Sequence, residues 1–270
     1  MSCSARRISA DPPVRELDAL LSCGETGSAA MTAMQLADIG KRCVSLTGAQ
    51  AGILTDGVHG AARILSIDTA RIMRELDAGK IVVAAGLQGA ERGGDTTTLG
   101  RGGSDTTAVE LAAALKADRC EIYSDVDGIY TADPRLVTGA VRLDSIDYGD
   151  MLHLALHGSQ VLHSRSVEAA MRANVRVHLL SSFTRHEGTV MCKLDDRSGL
   201  CGVTRDPSLG TVSIIGREAD AHVLAEAVAA LAHSDIIVTR TELFDGGCSL
   251  FVSPDRLLPA LEITHRRFFR

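Results

Sequence analysis

Residues 97 to 115 read TTLGRGGSDTTAVELAAAL, and the stretch from Gly100 to Asp105 holds only glycines, one arginine, one serine and one aspartate. A loop that opens a helix aims backbone N–H groups and the positive end of the helix dipole at one spot, where anions collect. Gly100, Gly102 and Gly103 remove side chains that would block a close approach. Arg101 offers a planar fork suited to a carboxylate or a phosphate, and Ser104 adds a hydroxyl. Asp105 is the unexpected member, because a carboxylate beside an anion site needs something to hold. A magnesium ion, a substrate ammonium group and a proton in transit are the candidates. The plainer alternative makes Asp105 or Ser104 a helix cap.

A second loop, YSDVDGIYTADPR, follows the strand-like CEIYS. The carboxyl end of a strand is where open α/β sheets bind ligands. Ser124 and Asp125 suit the sugar or base edge of a nucleotide, Tyr130 its ring and Arg135 its phosphates, while a solvated turn built on Asp-Gly and Asp-Pro is the competing reading. His153 and His157 stand four apart on a predicted helix, but without a third ligand nearby they read as a surface pair, and no metal site is expected. Cys23, next to Glu25 in the sequence, reads as a small apolar filler.

Alternating helices and apolar strands must position these loops. VRELDALLSCGETGSAAMTAMQLADIG predicts two helical stretches around a Gly-Glu turn, RCVSLTG a buried strand, and DTARIMRELDAGK a helix leading into the strand IVVAAG. Beyond TAVELAAALKA and CEIYS, residues 145–174 predict a helix broken near Gly158, followed by the strand VRVHLL. The expected fold class is α/β, a three-layer αβα sandwich with a mostly parallel central sheet. Residues 191–209 read as a polar connection. Past it, TVSIIG, DAHVLAEAVAALAH, DIIVTRTE, CSLFVS and PDRLLPALE, with THRRFF as a final strand, predict the βαββαβ order of a small ferredoxin-like α+β domain. The domains are expected at 1–192 and 193–270.

Composition narrows the partners. The 270 residues carry a formal net charge of −6 and only 3% aromatic residues, with no tryptophan. There is no basic stripe to follow a phosphate backbone and little to stack on bases, so nucleic acid is not an expected partner. No segment reaches the roughly 20 apolar residues of a membrane helix, and no membrane partner is expected. Seven scattered cysteines form no C-x-x-C pair, which predicts reduced thiols in a cytoplasmic protein.

Taken with RELDALLSCGE (15–25), SLTGAQAGILTDGVHGAARI (45–64), GLQG (86–89), VLHSRSVEAA (161–170) and SSFTRHEGT (181–189), the block from 97 to 135 resembles the aspartate kinases of the amino acid kinase family. The resemblance implies transfer of the γ-phosphoryl group of MgATP to the β-carboxylate of L-aspartate. In that likeness Arg101 would grip a substrate carboxylate and Glu25 the ammonium group. Asp105 would organise the reacting groups with Ser104 beside it, and Gly86 and Leu87, the latter where the family usually has phenylalanine, would line the aspartate pocket. Ser124, Asp125, Tyr130, Arg135, Gly102, Gly103 and Gln160 match nucleotide-binding positions. The family's N-terminal Lys-Phe-Gly-Gly-Ser stretch does not occur in this chain, and Gln160 and Ser164 replace a family lysine and proline. Residues 210–270 supply about one of the two ACT-type domains usual in the family. The resemblance implies amino acid biosynthesis in the lysine, threonine and methionine pathway and a homodimer, or pairing with another aspartate kinase chain. A catalytically degenerate homologue that binds or regulates a complete kinase is the alternative.

Overall fold

The computed structural model describes residues 7–195 and 199–269. They group into two compact units, one up to Asp118 and one from Arg119 onward.

The first unit starts with helix α1 (Val14–Asp38), then β1 (Cys43–Leu46), β2 (Ile53–Thr55), β3 (Ile64–Ile67), α2 (Ala70–Asp77), β4 (Ile81–Ala84), β5 (Gln88–Ala90), β6 (Thr96–Thr98) and α3 (Gly103–Leu115). β1 and β4 pair in parallel, and a second sheet has the order β3-β2-β5-β6. Its core joins Leu46, Ala51, Ile53 and Ile72 to Leu111 and Leu115 of α3. The expected turn at Gly24-Glu25 does not form: α1 is one helix of 25 residues. A glycine inside a helix costs up to about 1 kcal/mol relative to alanine. Asp18, Ser22 and Ala29, buried on α1, anchor the segment on both sides of Gly24 and override that preference.

The second unit carries β7 (Cys120–Ser124), β8 (Ser145–Ile146), α4 (Tyr148–Leu156), α5 (Ser164–Ala173), β9 (Val177–Ser181) and β10 (Thr189–Met191). The sheet order is β7-β9-β10-β8, with β7 parallel to β9 and β8 parallel to β10. The helix expected over 145–174 becomes a short strand and two helices, with the break centred where Gly158 takes a φ of +114°.

The same unit continues with β11 (Leu200–Asp206), β12 (Thr211–Gly216), α6 (Ala221–Ala232), β13 (Arg240–Phe244), β14 (Gly247–Phe251) and α7 (Leu257–Phe268). These strands form an antiparallel sheet in the order β11-β12-β14-β13. Two sequence expectations are corrected. Residues 200–206 are a strand rather than a connection, and THRRFF continues α7 instead of forming a last strand. Both corrections have one cause: β11 pairs along β12 and occupies the outer place that a strand after the second helix would take. As an outer strand β11 buries only Gly202 and Val203, which left its sequence polar. Residues 196–198 of the expected connection lie outside the described residues.

The cysteines other than Cys3, which lies outside the described residues, are free thiols. Among the described residues no helix is long and apolar enough to cross a membrane.

His265 of α7 is buried, bonded through Nε2 to Thr131 Oγ1 at 2.8 Å and stacked on Phe269. Burial holds its imidazole below the ordinary histidine range. The unfolded chain therefore takes up the proton first as the pH falls. The stabilisation is present above the unfolded value of about 6.5 and is lost as the pH drops toward the folded one. We expect the urea midpoint, followed by circular dichroism, to fall between about pH 7 and pH 5, and His265→Gln to flatten that slope.

Candidate active site

In the first unit β6 delivers the chain into Leu99, fully buried, and then into the glycine loop. Gly100 and Gly102 take φ values of +76° and +69°, a region that side chains disfavour. A Cβ on Gly100 would lie 2.9 Å from the Gly60 carbonyl oxygen, and one on Gly103 would lie 2.7 Å from Leu87 Cδ1. Gly102 is the N-cap position of α3, and Ser104 and Asp105 lie within the first turn of the helix. Ser104 is exposed and Asp105 half-buried.

Leu87 adopts φ +67°, a strained state for a leucine worth about 1 kcal/mol or more. It is held there by its N–H, which donates to Thr107 Oγ1 at 3.1 Å, and by its carbonyl, which accepts from Leu99 N–H at 2.8 Å. A Cβ on Gly86 would meet Ser104 at 3.4 Å. Gly86, Leu87, Gly103 and Ser104 thus lie together. Arg101 is exposed, with its donors directed to no described residue.

Glu25 is half-buried on α1, between two residues that fix the helix to β5. Gln88 Nε2 donates to the Ser22 carbonyl at 3.1 Å and to Thr26 Oγ1 at 3.4 Å. Sequence reasoning missed the stronger anchor, Asp18. Its carboxylate has no solvent exposure and accepts from Gly60 N–H at 2.9 Å, from His59 Nδ1 at 2.9 Å and from Thr98 Oγ1. The available signal was an acid at the i−4 position of buried Ser22 on one helical face.

In the second unit the loop after β7 lines a cavity of about 550 Å³. Ser124, Asp125, Tyr130, Arg135 and Gln160 all border it. Gly102 and Gly103, expected to share the nucleotide, belong to the first unit. Ser124 Oγ donates to Asp125 Oδ1 at 3.0 Å, and Tyr130 OH donates to Asp127 Oδ1 at 3.0 Å. The other Asp127 oxygen meets His186 Nδ1 at 2.8 Å, which holds that carboxyl below its usual range. Burial and Asp127 together push the Tyr130 phenol up. Arg135 donates two hydrogen bonds to Asp133, at 2.9 and 2.8 Å, and keeps the Asp133 carboxyl low. The paired roles of Asp127, His186 and Asp133 were not read from the sequence, because His186 lies 59 residues from its partner. Asp125, Asp127 and Asp133 all face the cavity, although among the described residues no group of three or more His, Cys, Asp or Glu is placed to hold a metal.

A profile of the amino acid kinase family matches residues 3–181, about two thirds of the chain. The chain belongs to the amino acid kinase family. Within it, the chain is 48% identical over 215 residues to an aspartokinase of Bacillus sp. (strain MGA3), covering 78% of this chain and 52% of that protein. It is 52% identical over 194 residues to an aspartate kinase of Stutzerimonas stutzeri, covering 72% and 47%. The chain spans about half the length of the curated relatives it matches. Among solved structures, Escherichia coli aspartokinase III in complex with aspartate and ADP superposes with a TM-score of 0.65 at 28% identity, over 93% of this chain and 61% of that one. The aspartate kinase of Clostridium acetobutylicum shares the fold, with a TM-score of 0.76 at 16% identity over 93% and 75%.

Two substitutions test the first unit. Gly100→Ala must place a methyl group against the Gly60 carbonyl in a disfavoured backbone region, and is expected to lower stability by about 1–3 kcal/mol. Asp18→Ala leaves three donors, Thr98 of them buried, without their acceptor and is expected to cost about 3 kcal/mol. Urea unfolding reads both; a change below about 0.5 kcal/mol, the range of ordinary surface substitutions, would contradict the geometry.

Proposed function

We propose that the chain acts as an aspartate kinase, transferring the γ-phosphoryl group of ATP to the β-carboxylate of L-aspartate to give 4-phospho-L-aspartate. The observation that carries this reading is the gathering of Ser124, Asp125, Tyr130, Arg135 and Gln160 around one cavity, in a chain similar to an aspartokinase solved with aspartate and ADP. Arg101, whose guanidinium donates to no described residue, grips a carboxylate of the substrate through charge-assisted hydrogen bonds. Glu25 takes the ammonium group. Gly86 and Leu87 shape the pocket, and Leu87 is held in its strained conformation by two hydrogen bonds.

The attacking carboxylate is already ionised at neutral pH. Asp105 therefore has no proton to remove and serves to orient the reacting groups, with Ser104 beside it. Phosphoryl transfer depends on positioning and on neutralising charge spread over the phosphoryl oxygens. Gly102 and Gly103 keep side chains away from the positive end of α3, and at the cavity of the second unit Arg135 supplies a cation. The three aspartates at the cavity suit a magnesium ion held by one or two carboxylates together with the nucleotide's own phosphates. When bound, magnesium would neutralise phosphate charge.

We read residues 1–192 as the kinase domain and 193–270 as a single ACT-type domain, in a cytoplasmic homodimer serving amino acid biosynthesis. Purified protein given MgATP, L-aspartate and hydroxylamine is expected to form aspartyl hydroxamate, and Asp105→Ala to abolish it. Arg101→Ala is expected to raise the KM for aspartate about tenfold or more. Wild-type product no greater than that of Asp105→Ala, with aspartate and nucleotide still bound, would refute catalysis and point to a binding or regulatory partner.

A further inference from the structure

One wall of the nucleotide cavity is built by the C-terminal α+β region. Val203, Thr204 and Arg205 of β11, Pro207, and Leu261 of α7 face the same space as the loop after β7. That wall is fixed from two directions. The Val203 N–H donates to the Thr131 carbonyl at 2.7 Å, while Thr131 Oγ1 accepts from Val141 N–H at 3.0 Å and bonds His265 at 2.8 Å. On the other side a Cβ at Gly158 would lie 2.0 Å from the Arg205 carbonyl oxygen, so only glycine allows the segment leading to Gln160 to lie against β11.

The two arginines at the cavity are not equivalent. Arg135 is engaged twice by Asp133. Arg205 is half-buried, and among the described residues it makes no ion pair or side-chain hydrogen bond. Its charge nonetheless reaches Asp133 and helps to keep that carboxyl low. Asp125, Asp127 and Asp133 at the cavity would repel a bare polyphosphate. A guanidinium with its donors unspent, at the same surface, supplies the opposite charge in a planar fork that matches phosphate oxygens.

We infer that Arg205 is a phosphate-binding residue of this cavity, contacting the phosphate chain of the nucleotide from the C-terminal region. The inference rests on the nucleotide reading above and adds a cation outside the residues that carried that reading.

Isothermal titration of the full chain with ATP, adenosine and inorganic tripolyphosphate tests it, on wild type, Arg205→Ala, Arg205→Gln and Arg205→Lys, each checked for an unchanged urea midpoint. The expected result is a loss of about ten- to a hundredfold in affinity for ATP and tripolyphosphate in the Ala and Gln variants, partial recovery with Lys, and unchanged adenosine binding. Equal ATP affinity in wild type and variants would overturn the inference and leave the nucleotide reading standing. A parallel loss for adenosine would also overturn it, because the residue would then hold the cavity's shape rather than a phosphate. Tripolyphosphate binding that needs Arg205, without any gain for ATP, would keep the anion contact and remove the nucleotide reading. Wild type that binds none of the three would remove both.

Discussion

A carboxylate cut off from water organises the first unit. Asp18 draws donors from the turn at His59-Gly60 and from Thr98 at the end of β6. The glycine loop leaves β6 one residue after Thr98 and passes against Gly60. An unpaired buried carboxylate would be expensive, so the geometry that satisfies Asp18 also fixes where α1 lies. Fixing α1 fixes Glu25. The Gln88 amide, bridging Ser22 and Thr26, repeats the arrangement one turn along, so the helix cannot slide without breaking both sets of bonds.

The second unit solves the same problem with backbone. Thr131 exchanges hydrogen bonds with Val141, receives one from Val203 and reaches His265. Strand pairing, a loop and a helix therefore converge within a residue of Tyr130. Gly158 allows β11 to approach on the opposite side. The cavity is thus shared by the loop after β7 and by an antiparallel sheet that sequence reasoning assigned to a separate domain, and two of its carboxylates are paired, Asp127 with His186 and Asp133 with Arg135.

Local pattern explains which parts of this were legible in the sequence. The glycine loop and the aspartate-rich loop stood out because their residue types are rare together and each adjoins a strong periodic element. Strands of continuous apolar residues, such as Ile81–Ala84, were equally plain. What escaped depended on distant partners. α1 runs through Gly24 because tertiary anchors outweigh a local preference. β11 looked like a linker because an outer strand buries few of its residues, and the end of the last helix looked like a strand because nothing local reveals that the place beside β12 is already filled. Asp18, His186 and Asp127 gained meaning only from residues tens of positions away.

The bond between Thr131 and His265 joins positions 134 residues apart. A growing polypeptide that has emerged only through α5 contains every residue of the aspartate-rich loop but not β11 or α7, which wall and brace it. Such non-local closure is slow compared with helix formation. During synthesis the loop must therefore wait, exposed, for a late segment to arrive, which makes this stretch the natural point for protease attack or chaperone capture on the ribosome.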